Sequence, residues 1–238
     1  MMSSPVTQRQ YACAGTITAA MAAVADDERL EPEFVRDDVA RGRMVIPANI
    51  HHNDLEPIGI GINTRCKVNA NIGRSPDKSD RGSEHEKLDI CLAYGADTVM
   101  DLSTGEDLDG IRCDLIAASP IPLGTVPIYQ AVNDVEDVAD LSHDDFLSVI
   151  ERQAEQGVDY MTIHCGILSR MLPLACARRL GIVSRGGSLI ARWMTEHHQE
   201  NPFYSRFDSI LDICRQHDVT LSLGDGLRPG CLADASDD

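Results

Sequence analysis

The sequence predicts an α/β protein, an incomplete (β/α) barrel of the TIM type preceded by a small N-terminal helical arm. From about residue 65 onward, short β-branched runs alternate with amphipathic helical stretches, which is typical of βα units around a parallel sheet. Within the predicted strands, apolar and polar side chains alternate, so one face of the sheet is apolar and the other polar. A (β/α) barrel carries helices on one face only, whereas a doubly wound sheet is covered on both.

Six strands are predicted in this region. They span residues 66–72, 97–102, 125–129, 159–165, 181–184 and 219–223. A closed barrel of this type has eight strands, so we expect about six of eight units and two strand edges without a neighbour. We divide the chain into residues 1–62, an N-terminal arm or cap, and residues 63–238, the substrate-binding part of a partial barrel.

The arm contains two helical patterns and one short strand pattern. The helices are predicted over residues 17–26 and 31–41, the second with Pro32 suited to a first-turn position. Residues 44–47 are predicted as a short strand.

Composition and charge exclude several classes of protein. The chain has 238 residues, and no apolar run approaches the roughly 18–20 residues that a membrane helix needs. A net charge of −17 argues against a nucleic-acid surface. No basic region followed by an apolar core opens the chain, so we expect a cytoplasmic protein. The acidic excess with only 3 lysines favours a protein that works in concentrated salt; the alternative is an ordinary acidic cytosolic protein.

Cysteine and histidine spacing predicts no metal site. The 8 cysteines include no two closer than 11 positions and no CxxC pair. The adjacent pairs His51-His52 and His197-His198 are poor chelators, because neighbouring residues of a helix or strand point to different faces.

Polar residues gather where the predicted strands end, the position at which barrel enzymes carry their functional groups. Ser184-Arg185-Gly186-Gly187 precedes an apolar-periodic helix pattern, so free backbone N–H groups and an arginine come together in a way that suits a phosphate. The stretch DGLRPG (residues 225–230) is a second glycine-rich turn with an arginine. The two turns predict a site for a phosphorylated small molecule; the alternative is two ordinary turns.

Six motifs, in order along the chain, resemble those of the phosphomethylpyrimidine synthase family, the thiamine-pyrimidine enzymes of the radical S-adenosylmethionine type. The motifs are VNANIGRS (68–75), GADTVMDLSTG (95–105), SPIPLGTVPIYQAV (119–132), EQGVDYMTIHCGI (155–167), GIVSRGGS (181–188) and SLGDGLRPG (222–230). The N-terminal stretch is similar to that of the short form of the family.

The resemblance implies a (β/α) barrel that converts 5-aminoimidazole ribonucleotide to 4-amino-5-hydroxymethyl-2-methylpyrimidine phosphate, a carbon–carbon lyase reaction. By motif match it implies a set of ribonucleotide-binding positions and leaves the catalytic residues unknown. The binding positions are Asn71, Met100, Tyr129, His164, Ser184, Arg185, Gly186, Asp225, Gly226, Leu227 and Arg228.

The family also uses S-adenosylmethionine, a 4Fe-4S cluster and a zinc-type divalent metal. Their expected ligands, a glutamate, two histidines and a CxxCxxxxC motif, follow SLGDGLRPG in the family and are not in this sequence. We therefore expect a portion of the enzyme that is not active alone. Its expected partners are the ribonucleotide and either a second copy or a complementing C-terminal chain. The alternatives are the hydroxybenzimidazole synthase paralog and a non-catalytic remnant that only binds the ribonucleotide.

Overall fold

The computed structural model of the chain describes residues 6–75 and 81–236. The N-terminal region contains three helices and a short antiparallel hairpin. Their bounds are α1 Gln8–Cys13, α2 Ala19–Glu28, α3 Pro32–Ala40, β1 Met44–Val45 and β2 Ile60–Gly61. Met21, Val24, Val35 and Val39 form an apolar cluster of their own with Met44, separate from the main core. Threonines accept hydrogen bonds from the first turns of α1 and α2, as N-caps do.

A parallel sheet of five strands forms the rest of the framework, with its strands in chain order. They are β3 Asn69–Ile72, β4 Thr98–Asp101, β5 Leu123–Thr125, β6 Tyr160–Ile163 and β7 Thr220–Leu223. The helices around it are α4 Arg81–Ala93, α5 Leu108–Ala118, α6 Pro127–Asn133, α7 His143–Gln156, α8 Leu172–Ala177, α9 Arg185–His197, α10 Pro202–Ser205 and α11 Phe207–His217. Among the described residues, no helix is long and apolar enough to span a membrane.

The predicted α/β class and partial barrel are confirmed. Ile72, Val99, Leu123 and Met161 belong to the main apolar core together with residues of the surrounding helices, such as Phe146 of α7. Their strand neighbours face a cavity on the other side of the sheet, described below. The sheet stays open over residues 6–75 and 81–236, because β3 and β7 each pair with one neighbour.

The predicted count of six strands is wrong, because residues 181–184 form no strand. β6 pairs directly with β7, from Tyr160 opposite Thr220 to Ile163 opposite Leu223, which leaves no place between them. Gly181 has a left-handed φ of 61°, and the segment leads into the N-cap of α9. A β-branched pattern alone does not make a strand where no neighbouring strand offers hydrogen bonds.

The predicted strand over residues 125–129 is also wrong. β5 ends at Thr125, and α6 begins at Pro127, whose ring suits the first turn of a helix. Val126 and Ile128 are buried in the core, but they lie at the turn into α6 and within this helix, so the apolar run is not a strand. Tyr129 therefore lies on a helix that follows a strand. The first strand is also shorter than predicted, because residues 66–68 precede β3.

A buried polar cluster joins the arm to the start of β6. Asp159 precedes this strand and accepts hydrogen bonds from the backbone N–H of Asn49 at 2.9 Å and from His52 Nδ1 at 2.8 Å. The other ring nitrogen of His52 lies 2.9 Å from the carbonyl oxygen of Ser119. Burial lowers the pKa of His52, but the hydrogen bond and charge of Asp159 outweigh it, and the pKa lies above 6.5. Burial also raises the pKa of Asp159. The hydrogen-bonded pair of His52 and Asp159 fastens the arm to the barrel.

Asp218 is expected to be replaceable by asparagine with a gain in stability. It ends α11 at a φ of 55°, a conformation that asparagine tolerates, and it accepts the Gln8 N–H at 2.9 Å. Burial raises the pKa of Asp218 to about 6, so its charge opposes folding above that pH.

At pH values well above this pKa, the free energy of unfolding of the D218N variant should exceed that of wild type by about 1–2 kcal/mol. Because the folded pKa is raised, the wild-type carboxyl gains a proton as pH falls through about 6, and the advantage should vanish near 3.8. Urea denaturation of both proteins at a series of pH values measures this difference in stability. Equal stabilities of the two proteins well above pH 6 would show that the charge carries no cost.

Candidate functional site at the strand ends

His164 occupies the middle of the candidate site, directly after β6. Its side chain is enclosed by two glycines: a Cβ on Gly186 would lie 2.4 Å from the ring, and one on Gly224 would lie 2.8 Å from it. The residue is only 5% exposed, and its Nδ1 is buried with no hydrogen-bond partner among the described residues. Burial lowers the pKa of His164, so the imidazole is neutral near pH 7. Buried polar atoms normally have a hydrogen-bond partner, so a bound ligand is a reasonable partner for this nitrogen.

The start of α9 forms one wall of the site. Ser184 is the N-cap, and its Oγ accepts the Gly187 N–H at 3.2 Å. The preceding N–H groups of this first turn have no partner within the helix, and the helix dipole adds positive charge there. The guanidinium of Arg185 lies 4.6 Å from the centroid of the Tyr129 ring, a cation–π contact that joins α9 to α6.

The turn after β7 forms the facing wall. Arg228 and Asp225 are paired at 2.8 Å across this exposed turn, and the Leu227 carbonyl accepts a hydrogen bond from Arg178 at 2.6 Å. A Cβ on Gly187 would lie 2.3 Å from the carbonyl oxygen of Gly226, so the two glycine-rich turns touch through their backbones.

Arg185 and Arg228 both lie close enough to Tyr129 for their charges to act on its phenol. Burial raises the pKa of the Tyr129 phenol, while the charges of Arg185 and Arg228 lower it in part. Arg228 and Asp225 also act, in opposite directions, on the pKa of His164. Two guanidinium groups, a neutral imidazole and a helix N-terminus therefore meet at one end of the sheet, an arrangement that suits an anion.

Asn71 and Met100 lie on the first two strands of the sheet. Their Cα atoms are register partners between β3 and β4. Asn71 accepts a hydrogen bond from Asn69 at 2.9 Å, and the Met100 sulfur is 4.0 Å from the hydroxyl of Thr162. Thr162 is two residues before His164 and shares its face, so Asn71 and Met100 lie on the same face of the sheet as His164. Within residues 6–75 and 81–236, the side chains of Asn71 and Met100 make no contact with the two arginines of the site.

A cavity of about 420 Å³ lies against this polar face. Its lining residues are Val45, Pro47, Ile60, Lys67, Asn69, Thr98, Met100, Tyr160, Thr220, Leu221 and Ser222. The Tyr160 hydroxyl donates to Asn69 Oδ1 at 2.8 Å, and burial raises its pKa to about 12, so the phenol stays protonated. Gly124, opposite Tyr160, leaves the ring room, since a Cβ there would lie 2.2 Å from it.

The sequence pattern did not single out Tyr160 or the hairpin residues of this cavity. Tyr160 alternates with Met161 along β6, so strand parity was a signal for its inward position. Val45 and Ile60 reach the cavity because the hairpin folds against the sheet, a tertiary contact without a local signal.

The fold and the site together define an α/β protein, a partial barrel with two arginines and a helix N-terminus at one end of its sheet. The radical SAM ThiC family model matches residues 7–238. The chain belongs to this family, and the resemblance drawn from the motifs is confirmed.

The family's cluster does not fit the residues that the structure describes. A cluster needs converging thiolates, and the cysteines are free and dispersed over the fold. Within residues 6–75 and 81–236, no group of three or more His, Cys, Asp or Glu side chains is arranged to hold a metal ion.

Proposed function

We propose that the chain binds 5-aminoimidazole ribonucleotide for the phosphomethylpyrimidine synthase reaction of thiamine biosynthesis. The observation that carries the proposal is the convergence of Arg185, Arg228 and the N-terminus of α9 around the buried, neutral His164. Family membership supports thiamine-pyrimidine synthesis in general. The ribonucleotide carries a phosphate, the kind of anion that suits the positive groups at this end of the sheet.

Each group has a role that follows from its chemistry. The phosphate lies at the Ser184–Gly187 turn, where backbone N–H groups and the Arg185 fork donate hydrogen bonds to it. Arg228 releases Asp225, with which it forms an ion pair, and binds the phosphate of the ligand instead. His164 offers its Nδ1, which has no hydrogen-bond partner in the described part of the chain, to a polar group of the ribonucleotide. The Asn71 amide and Met100 contact the ligand further along the polar face.

We assign ribonucleotide binding to this chain and no radical step, because the cluster does not fit its described residues. The hydroxybenzimidazole synthase paralog acts on the same ribonucleotide, so product analysis with a complete enzyme distinguishes the two. A non-catalytic ribonucleotide-binding protein is the alternative from another class, and it predicts binding without turnover in any reconstitution.

The open edges of the sheet favour a protein partner. Leu223 of β7 and Val68, just before β3, are 67% and 59% exposed, and unpaired parallel strand edges are sites for further strands. The proposed partner is a complementing C-terminal chain or a second copy. A dimer mass in light scattering supports the second copy, and a monomer mass supports the complementing chain.

The Arg185→Gln substitution tests the phosphate role. Calorimetric titration with 5-aminoimidazole ribonucleotide should show about 10- to 100-fold weaker binding for this variant, because a charge-assisted hydrogen bond is lost. Arg215→Gln is the matched control; Arg215 pairs with Asp212 in the last turn of α11, before the start of β7. Equal affinities of wild type and R185Q, or no binding by wild type, would contradict the proposal.

A further inference from the structure

The two histidines of the His51-His52 pair serve different contacts in the fold. His52 is buried against Asp159, whereas the Nε2 of His51 lies 3.1 Å from the Nδ1 of His217. Their ring centroids are 5.2 Å apart and the ring planes are tilted by 44°. An imidazole pair therefore joins the N-terminal region to the end of α11, far along the chain.

The backbone holds both histidines in place. The N–H of Ile50 donates to the carbonyl oxygen of His217 at 3.1 Å, and the N–H of His51 donates to the side chain of Asn49 at 2.9 Å. Asn49 in turn donates to the carbonyl oxygens of Ala154 and Val158, both at 2.8 Å. The His51 ring is thus presented by a turn anchored to α7 and to α11, which reduces the entropy cost of binding a ligand between the rings.

The surroundings favour a cation. His217 is the last residue of the 11-residue helix α11, where the helix dipole places negative charge. Glu151 and Glu155 of α7 lie close enough for their negative charges to act on His217.

We propose that His51 and His217 form a two-imidazole site for a divalent transition metal of the zinc class, which links the N-terminal arm to α11. Two nitrogens bound to one metal at zinc–imidazole distances are separated by about 2.9–3.4 Å, and the 3.1 Å hydrogen bond between the two rings already holds their nitrogens at that spacing. Metal binding replaces the hydrogen-bonding proton between them. Imidazole ligands select zinc, copper or nickel over magnesium or calcium. Because no third His, Cys, Asp or Glu side chain of the described residues is placed to ligate the same ion, water molecules complete the coordination.

The test uses the full chain, Zn²⁺ as the probe and thermal melting as the readout. Zinc at about tenfold excess over its Kd should raise the wild-type Tm by about 2–5 °C. H51Q and H217Q should each lose this shift, whereas H85Q, a histidine replacement on α4, should keep it. Mg²⁺ should give no shift. Because the 8 free cysteines are other zinc ligands, the decisive quantity is the difference between wild type and each variant.

Nitrogen-15 spectra of the histidine side chains give a second readout that does not depend on stability. Zinc should move the resonances of His51 Nε2 and His217 Nδ1 and leave those of His52 in place. Zinc stabilisation that is undiminished in both variants, or unchanged His51 and His217 resonances in wild type, would overturn the site. Either result would leave the proposed ribonucleotide binding untouched, because the two histidines lie beyond the N-terminal ends of β6 and β7.

Discussion

Replacement of Asp159 by alanine is expected to lower the free energy of unfolding by about 3–5 kcal/mol, the largest effect of any single substitution discussed. The carboxylate is fully buried and accepts hydrogen bonds from His52 Nδ1 at 2.8 Å and from the N–H groups of Leu123 at 2.8 Å and Asn49 at 2.9 Å. Removal would leave the His52 ring nitrogen and two backbone donors buried without their acceptor.

Urea denaturation of D159A beside D212A measures this effect. Asp212 is the matched control, because it pairs with Arg215 on an exposed helix surface, where ion pairs contribute little. We expect a large loss of stability for D159A and almost none for D212A. Similar unfolding midpoints for D159A and wild type would show that the arm is held by other contacts.

Replacement of Gly187 by alanine should weaken both the fold and ribonucleotide binding. Gly187 lies in the first turn of α9, where alanine has the better helix propensity by about 1 kcal/mol. The new Cβ would lie 2.3 Å from the carbonyl oxygen of Gly226, however, so the two glycine-rich turns must separate. We expect a net loss of about 1–3 kcal/mol in stability, as is typical of overpacking, and a weaker ribonucleotide complex.

Gly166→Ala is the control for this substitution, because a Cβ on Gly166 has no atom within 4 Å. Thermal melts and calorimetric titration of both variants compare stability and affinity. A G187A protein as stable as wild type, with unchanged affinity, would mean that the close approach of the turns is unimportant for the site.

The sequence predicted the layered fold because strand parity is a local signal. The alternation of apolar and polar residues along β6 depends only on neighbouring residues. The errors at residues 125–129 and 181–184 have the opposite cause. Whether a β-branched run becomes a strand depends on a hydrogen-bonding neighbour, and Pro127 and the direct pairing of β6 with β7 decided those two segments.

The candidate site was predictable in its location more than in its contacts. Parallel strands place their carboxyl ends at one edge of the sheet, so residues after β6 and β7 could be expected to meet. The enclosure of His164 by Gly186 and Gly224, and the stacking of Arg185 on Tyr129, depend on how loops from distant parts of the chain pack. The roles of these residues, the preference for concentrated salt and the protein partner stay predictions.

The central claim, that this end of the sheet holds the phosphate of a ribonucleotide, is tested most directly by comparing two ligands. The chain is titrated calorimetrically with 5-aminoimidazole ribonucleotide and with the corresponding nucleoside, which lacks the phosphate. We predict that the ribonucleotide binds at least about tenfold more tightly, and that R185Q combined with R228Q removes most of the difference. Equal affinity of wild type for both ligands would contradict the account.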